Sequence, residues 1–371
     1  MPRPSGPAAQ RKGMSDMEYK RTPYMAPGAE YELAGTTTVP IHVPKLEYPI
    51  SPRENFRRML SRENPMWIPS GVCDFNYCMG GDLTGLPDLS FNFPDRCDWT
   101  DLFGCVWEFI PEAGGSMLKP GQTPVLEDIT EWETGIRWPD LNEDRIKACC
   151  ESVMAQPWHR PDKMNYYDFG QGCTERLVSV LGGYEEAMVA LALEPEACRD
   201  FMMELSRFHC RMFDLISKHY PTDMILYHDD WGTERDTFFS EKMMEEIVYE
   251  PTELFFRHVQ ETSDIKINFH SCGRVERFMP YFVSLRADFV QLQARANDMK
   301  KYKALYGDKL GFDFVTRSVE HDAAIAAARD IVDNYAQGGG VFSTVFSGDE
   351  RLLWDAIEEL YCYSREYYES H

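Results

Sequence analysis

The 371-residue chain is 43% hydrophobic and 13% aromatic, with a formal net charge of −23 at pH 7. This composition supplies a substantial core, and the absence of a basic stripe argues against nucleic acids and anionic membranes as partners. The 11 cysteines have no framework-like spacing, which indicates reduced thiols in the cytoplasm. The chain opens without the apolar run of a signal peptide, and no apolar run is long enough to cross a bilayer.

The first part of the chain, residues 1–45, is rich in Pro, Gly and Thr and lacks hydrophobic periodicity. It is predicted to form an extended N-terminal arm. Regular structure begins with a helix, for which Ser51 is a favourable N-cap, Pro52 suits the first helical position and Glu54 completes a capping box. Residues 46–371 show no internal repeat and no linker, and are predicted to form one domain.

Short apolar runs alternate with helical patterns through this domain. The strand candidates are 66–69, 104–109, 164–170, 223–230, 265–273, 288–293, 310–316 and 339–345. Helical periodicity covers 195–220, 240–262 with a break near Pro251, and 321–340. About eight strands alternating with helices predict an α/β fold, a closed (β/α)8 TIM barrel. Residues 111–163 are predicted to be an insertion or long loops over the barrel rim.

Polar side chains follow four successive predicted strands at the same end. They are His228, Asp229 and Asp230; His270 and Cys272; Gln291, Gln293 and Arg295; and Asp313. The C-terminal ends of the strands of a (β/α)8 barrel meet at one rim, where catalytic groups lie. This pattern therefore predicts one functional site at the rim.

Two segments of this set indicate specific chemistry. His270 and Cys272 are two residues apart and face the same side of a strand, where an imidazole and a thiolate suit zinc. A buried histidine beside an inert cysteine is the alternative. Adjacent strand residues face opposite sides, so one of Asp229 and Asp230 is expected to face the cavity and the other to hold a loop or a histidine. The inward acid would be a ligand, a substrate clamp or a general base, and solvated loop-start acids are the alternative.

Glu175 and Arg176 follow the strand at 164–170, where a surface pair at a helix start is the simplest interpretation. The chain contains no phosphate-binding loop, dinucleotide fingerprint, nucleophile elbow, H-E-x-x-H or C-x-x-C motif. The aromatic loop around Trp107 is predicted to exclude water or to stack on a substrate.

The segments "FHSCG" (269–273) and "HDDWGT" (228–233) resemble the uroporphyrinogen decarboxylase superfamily, and within it the branch that includes corrinoid-dependent methyltransferases. Weaker similarity runs from about residue 48 to the C-terminus, through "SPRENFRRML", "CDWTDLFGCVWEF", "LGGYEEAMVALALEPE" and "DFVQLQ". The resemblance implies a barrel with its site in the mouth, and a corrinoid protein that carries the methyl group. The arginine-rich porphyrinogen motif of true decarboxylases is absent from "IPSGVCDFNYC", which argues against a porphyrinogen substrate.

The resemblance also implies zinc bound by the His and Cys of H-x-C-G and by a later Cys. His270 and Cys272 match the first two ligands, whereas Phe346 stands near the place of the third. Either a carboxylate replaces it, with Glu175, Asp229 and Asp230 as the candidates, or no metal binds.

The leading hypothesis is a methyltransferase that demethylates a small methoxylated or methylamine-type donor and passes the methyl group to a corrinoid protein. The predicted catalytic residues are His228, Asp229 and Asp230; the predicted zinc ligands are His270, Cys272 and Glu175; and the predicted substrate contacts are Trp107, Gln291, Gln293 and Arg295. A metal-independent lyase with Asp229 or Asp230 as acid–base, and a non-catalytic barrel that binds a small ligand, are the alternatives. A homodimer is also expected.

Overall fold

The structure is a computed structural model that describes residues 31–35, 40–88, 95–112, 115–317, 320–347 and 349–371. Its strands are β1 Tyr31–Gly35, β2 Pro40–Pro44, β3 Phe75–Met79, β4 Cys97–Thr100, β5 Val106–Ile110, β6 Gly115–Leu118, β7 Met164–Gln171, β8 Met224–His228, β9 Lys266–Ser271, β10 Phe289–Leu292, β11 Gly311–Arg317 and β12 Val341–Phe346. Its α-helices are α1 Pro52–Ser61, α2 Gly80–Thr84, α3 Trp132–Gly135, α4 Glu143–Met154, α5 Cys173–Leu181, α6 Tyr184–Leu193, α7 Pro195–His219, α8 Glu241–Met243, α9 Tyr249–Thr262, α10 Met279–Ser284, α11 Met299–Tyr306, α12 His321–Tyr335 and α13 Glu350–Ser370. Two 3₁₀-helices, Ile129–Glu131 and Glu276–Phe278, and a π-helix, Met244–Val248, complete the helical segments.

The main element is a seven-stranded sheet in the order β12-β11-β10-β9-β8-β7-β3, and all of its pairings are parallel. Helices connect successive strands, as parallel pairing requires. The sheet curls, because the rings of Phe75 on one edge strand and Phe342 on the other lie 5.3 Å apart. A single parallel bridge, between Ser70 and Ser343, joins β12 to the segment before β3. The fold is therefore α/β with a curled parallel sheet, and the predicted closed barrel of eight strands is not shown.

Six of the predicted strands are confirmed as β7 to β12. The run 104–109 corresponds to β5, which pairs antiparallel with β4 and β6 in a separate three-stranded sheet. The run 66–69 contributes only the bridge next to it. The strand β3 was not predicted, because Asn76 interrupts its apolar pattern. In the structure the Asn76 amide donates hydrogen bonds to Arg160 O (2.7 Å) and Asn165 Oδ1 (2.8 Å), two residues that are distant in the sequence.

An apolar cluster fills the concave side of the sheet near the N-terminal ends of its strands. Its buried members are Phe56, Phe75, Met164, Tyr166, Met224, Leu226, Phe289 and Phe342. Phe56 comes from α1, which closes this end. The inward positions alternate along each strand, so the polar side chains further along β8, β9 and β10 lie at the opposite, C-terminal end.

The predicted helices are largely confirmed. The Ser51 Oγ accepts a hydrogen bond from Glu54 N (3.2 Å) at the start of α1. The helix expected to break near Pro251 continues instead through that residue as α9. In a regular α-helix the Pro251 ring would clash with the carbonyl of Ile247, four residues earlier. Ile247 lies in the π-helix directly before α9, and the wider turn of the π-helix removes this clash.

Outside the parallel sheet, part of the predicted N-terminal arm is ordered. The strands β1 and β2 pair as an antiparallel hairpin, and Val43 is buried in a cluster with residues of α13, whereas residues 1–30 lie outside the described part of the chain. The region 111–163 also contributes more than loops, because α4 buries Ile146 and Cys150 in the main core. Among the described helices, none has the length and apolar character needed to span a bilayer.

Candidate functional site

The candidate site is one row of side chains across four neighbouring strands at the C-terminal end of the sheet. His228 of β8 pairs in register with His270 of β9, His270 with Gln291 of β10, and Gln291 with Asp313 of β11. Parallel strands in register place these side chains on one side of the sheet, just beyond the apolar cluster. The convergence predicted from the strand ends is therefore present.

Three residues of this region have potential metal-ligating atoms that face one another. Such atoms of His228, Asp230 and His270 all lie within 4.8 Å of each other. The two imidazole rings stack with centroids 4.0 Å apart. The Cys272 Sγ lies 3.3 Å from His270 Nε2, next to this group. The set therefore offers two nitrogens and a carboxylate, with a thiol adjacent.

Each histidine is oriented by a partner behind it. The Glu175 Oε2 lies 2.7 Å from His228 Nδ1, and the Gln291 Oε1 lies 2.7 Å from His270 Nδ1. The Gln291 amide in turn donates through Nε2 to Asp313, which fixes the amide orientation and so makes Oε1 an acceptor. The Nδ1 atom of His270 therefore carries the ring proton, and its Nε2 is the candidate ligand atom; Nε2 of His228 becomes a ligand atom once that ring loses its second proton. Such outer partners are typical of metal-binding histidines.

Burial and neighbouring charge separate the protonation states of the two histidines. Burial disfavours the charged form of His228, but the Glu175, Asp230 and Asp168 carboxylates outweigh it and raise its pKa to about 10. Burial, aided by the charge of His228, lowers the pKa of His270 to about 3. Burial also raises the pKa of Glu175 to about 8, so the His228–Glu175 pair holds at least one proton near neutral pH.

The adjacent acids have different roles in the structure. Asp229 is fully buried and accepts hydrogen bonds from Thr174 N (3.2 Å), Glu175 N (2.9 Å) and Trp231 Nε1 (2.9 Å). It therefore turns away from the two histidines and anchors the start of α5, the helix that carries Glu175. Asp230 turns toward the histidines, with Oδ1 3.6 Å from His270 Nε2.

The loop after β9 brings Cys272 to the site. Asp230 Oδ1 accepts a hydrogen bond from Cys272 N (2.6 Å), and burial followed by the charge of Asp230 raises the pKa of the Cys272 thiol. Gly273 has φ 78°, and a Cβ there would lie 2.1 Å from Gly232 O, so only glycine fits this contact between two rim loops.

Arg176 is buried and the Glu175 side chain is only 12% exposed, which contradicts their interpretation as a surface pair. The Arg176 guanidinium binds Asp88 (2.7 Å) and Asp101 (2.5 Å), and its carbon lies 4.4 Å from the centre of the Phe103 ring. These contacts fix α5 against the segment before β5. They hold Glu175 in place behind His228.

Other predicted residues occupy different positions. Glu175 was predicted to bind the metal, but it contacts His228 Nδ1 instead. His228 and Asp230 were predicted to be catalytic, and they lie with His270 in the group of potential metal ligands. Gln293 Oε1 accepts from Gly273 N (3.1 Å) and so shapes the Cys272 loop.

Two predicted substrate contacts have partners outside the ligand group. Arg295 is exposed and pairs with Glu234 at 2.5 Å. Trp107 donates to Asp101 Oδ2 (3.0 Å) and stacks on Trp99 in the antiparallel sheet.

Sequence reasoning missed Asp168, Tyr77 and Tyr184. Asp168 on β7 accepts from Gly170 N (3.0 Å) and lies close enough to His228 that each affects the other's pKa. Asp168 is two residues after Tyr166 on a correctly predicted strand, and this spacing could have indicated that both side chains face the inside of the sheet. Tyr77 lies on β3, which was not predicted. Tyr184 is exposed and stacks on Phe238, with ring centroids 4.8 Å apart, and desolvation, followed by the charges of Glu175 and Asp230, contributes to a raised pKa of its hydroxyl.

The chain matches no protein-family model and no curated protein sequence. Among solved structures it is similar to a methyltransferase from Methanosarcina mazei, with 12% identity, a TM-score of 0.54, and coverage of 86% of this chain and 99% of that chain. A hyperthermophilic beta-glucosidase from Pyrococcus furiosus has 10% identity and a TM-score of 0.36, with coverage of 86% of this chain and 83% of that chain. The first similarity shows a shared, TIM-barrel-like fold.

Proposed function

We propose that the protein is a methyltransferase whose site holds a divalent metal ion, zinc in the first instance, between His228, Asp230 and His270. The methyl group would pass from a small methoxylated or methylamine-type donor to a corrinoid carried by a partner protein. The observation that carries the proposal is the group of facing ligand atoms within 4.8 Å, at the strand ends where barrel enzymes place their chemistry. The fold likeness to a methyltransferase is consistent with it.

The donor set fits zinc. Zinc accepts imidazole nitrogen, carboxylate oxygen and thiolate sulfur, and catalytic zinc sites use three protein ligands with one position left for substrate. The lowered pKa of His270 keeps its ring neutral, as a ligand must be, whereas His228, with its raised pKa, would lose its second proton when the metal binds. Two histidines and an aspartate thus replace the predicted set of His270, Cys272 and Glu175, and the Cys272 thiol lies next to them.

The chemistry requires stabilisation of charge on the leaving atom. Displacement of the methyl group leaves negative charge on the oxygen or nitrogen of the donor, and a bound zinc ion would supply a Lewis acid for that charge. Glu175 holds the Nδ1 proton of His228, and Gln291 holds that of His270, so both rings keep one orientation. The raised pKa of Cys272 keeps its thiol protonated when it is not a ligand.

Metal content and methyl transfer test this proposal together. The purified protein should contain about one zinc per chain and transfer methyl groups from a member of a methoxy-aromatic and methylamine panel to cob(I)alamin under anoxic conditions. Asp230→Asn and His270→Gln should lose both properties. His258→Gln is a matched control, because His258 pairs with Asp214 on the outer surface. Full activity of His270→Gln, or of protein freed of metal, would refute the proposal.

A metal-independent lyase is the second candidate. Burial raises the pKa of Glu175 to about 8, and a carboxyl group that is protonated near neutral pH suits general-acid catalysis. Asp229, one of the acids predicted for this role, has its oxygens engaged by α5 and Trp231, so Glu175 is the better acid. This reading predicts activity on small carboxylic acids that survives chelation of metals, whereas a non-catalytic barrel predicts no turnover.

A further inference from the structure

A cavity lies at the N-terminal end of the sheet, opposite the candidate site. It has a volume of about 430 Å³ and is lined by residues of the loops that precede β10, β11 and β12 and by the end of α1. The apolar cluster that contains Phe289 and Phe342 lies between this cavity and the row of His228 and His270. The cavity is therefore a separate feature of the fold.

The charged lining of this cavity is mainly positive. Arg62, Arg286 and Lys309 line it, in a chain whose net charge is −23. None of the three has an ion-pair partner among the residues that the structure describes. The lining acid, Asp288, has its own partners, Ile267 N (2.9 Å) and Lys266 Nζ (3.4 Å). The positive charge at the cavity is therefore not compensated by the protein.

Two of these cations occupy unusual backbone positions. Arg62 has φ 58° and Arg286 has φ 56°, and Asn64 is the one other non-glycine residue with positive φ in the described part of the chain. Glycine adopts this conformation at lower cost, so arginine at both places indicates a use for the side chain. Each residue is held in place: Arg62 Nη2 donates to Gly307 O (2.9 Å), and Arg286 O accepts from Gln260 Nε2 (3.1 Å).

The charge of Arg62 affects a neighbouring lysine, Lys303. Lys303, whose Nζ donates to Gly339 O (2.6 Å), has a pKa lowered to about 8 by burial and by the charge of Arg62. The remaining lining includes Leu60, Val283 and Phe289, which form an apolar wall. A ligand that matches both parts carries more than one negative charge and an apolar body.

We propose that this cavity binds a small phosphorylated molecule, with the phosphate at Arg62, Arg286 and Lys309 and an apolar group against Leu60 and Val283. A phosphate dianion matches three cations better than a single carboxylate does, and the planar guanidinium forms paired hydrogen bonds to phosphate oxygens. The volume is within the range of small-molecule sites.

Binding of phenyl phosphate, measured by calorimetry in a phosphate-free buffer, tests the proposal. We expect saturable 1:1 binding that is tighter than that of inorganic phosphate or benzoate. Arg286→Gln/Lys309→Gln should weaken it by at least about tenfold. Arg137→Gln/Lys147→Gln removes the same charge from exposed positions just before α4 and on α4, and should bind as the parent does.

The result that would overturn the proposal is equally direct. If phenyl phosphate does not saturate the parent protein, or if both double variants weaken binding equally, the cavity is not the site. Arg286→Lys separates charge from geometry, because it retains the charge and loses the guanidinium fork, and should bind with intermediate affinity. Circular dichroism of each variant checks that the fold is retained. The readout is binding alone, so it is independent of methyl transfer.

Discussion

Replacing each of the adjacent acids by asparagine should separate stability from metal binding. Asp229 is fully buried and accepts three hydrogen bonds, two of them from backbone N–H groups at the start of α5. Asp230 is 15% exposed and accepts one, from Cys272 N. We therefore expect Asp229→Asn to unfold more easily yet retain the ligand group, and Asp230→Asn to be stable but unable to bind metal.

The magnitude for Asp229→Asn follows from the donors. An amide has one acceptor oxygen, so at least one buried donor loses its partner, at a cost of roughly 1–3 kcal/mol. Loss of the negative charge does not add to this cost, because burial raises the pKa of Asp229 and so disfavours its ionised form in the folded protein. The free energy of unfolding should fall by about 1–3 kcal/mol. In Asp230→Asn the amide oxygen still accepts from Cys272 N, so the change should stay within about 1 kcal/mol.

The assay is urea unfolding of metal-free protein, followed by circular dichroism, with zinc content of the reloaded protein measured separately. Removing metal beforehand prevents ligand stabilisation from masking the difference. A pH of about 8 is suitable, because burial raises the pKa of Asp229 to about 7 and the carboxylate is then mostly ionised. Equal loss of stability in the two variants, or loss of zinc in Asp229→Asn alone, would refute the assignment of the inward and outward acids.

Three further predictions concern the same site. Zinc affinity should rise about tenfold per pH unit between about pH 6 and 8, because His228, with its pKa raised to about 10, must lose one proton to bind the metal. Competition with a chelator at a series of pH values measures the zinc affinity. Gln291→Leu should weaken zinc binding by about 10–100-fold, because the His270 ring loses its orienting partner, whereas Gln293→Leu should have a much smaller effect. Gly273→Ala should lower the free energy of unfolding by about 2–4 kcal/mol through backbone strain and a clash.

A specific result would contradict each of these three predictions. A hundredfold rise in affinity per pH unit would show that a second proton is released, as expected if Cys272 binds as thiolate, and a pH-independent affinity would contradict the role of His228. Equal effects of the two glutamine variants would contradict the tautomer argument. Gly338→Ala is the control for Gly273→Ala, because Gly338 has φ 76° but open space around its Cβ position, so only the backbone cost of about 1–2 kcal/mol remains.

Local patterns were sufficient for much of the fold. The strands β7 to β12 and the helices α1, α7 and α12 follow from apolar periodicity and capping residues, which act within a few positions of the chain. The run 104–109 shows the limit of such patterns: a strand is present, but its sheet is decided by pairing with Cys97–Thr100 and Gly115–Leu118. The seven-stranded sheet curls through contacts between its two edges, such as that of Phe75 with Phe342, which join residues far apart in the sequence.

The sequence by itself determined that polar groups would meet at the C-terminal ends of β8, β9 and β10, because strand direction and side-chain alternation are local properties. Only the tertiary structure decided which adjacent acid faces the histidines. Asp229 and Asp230 lie just after β8 ends, where alternation no longer applies, and the direction of Asp229 is set by backbone donors such as Glu175 N, 54 residues earlier in the chain. The same contact brings Glu175 behind His228, so the ligand group is a product of how α5 packs against the strand ends.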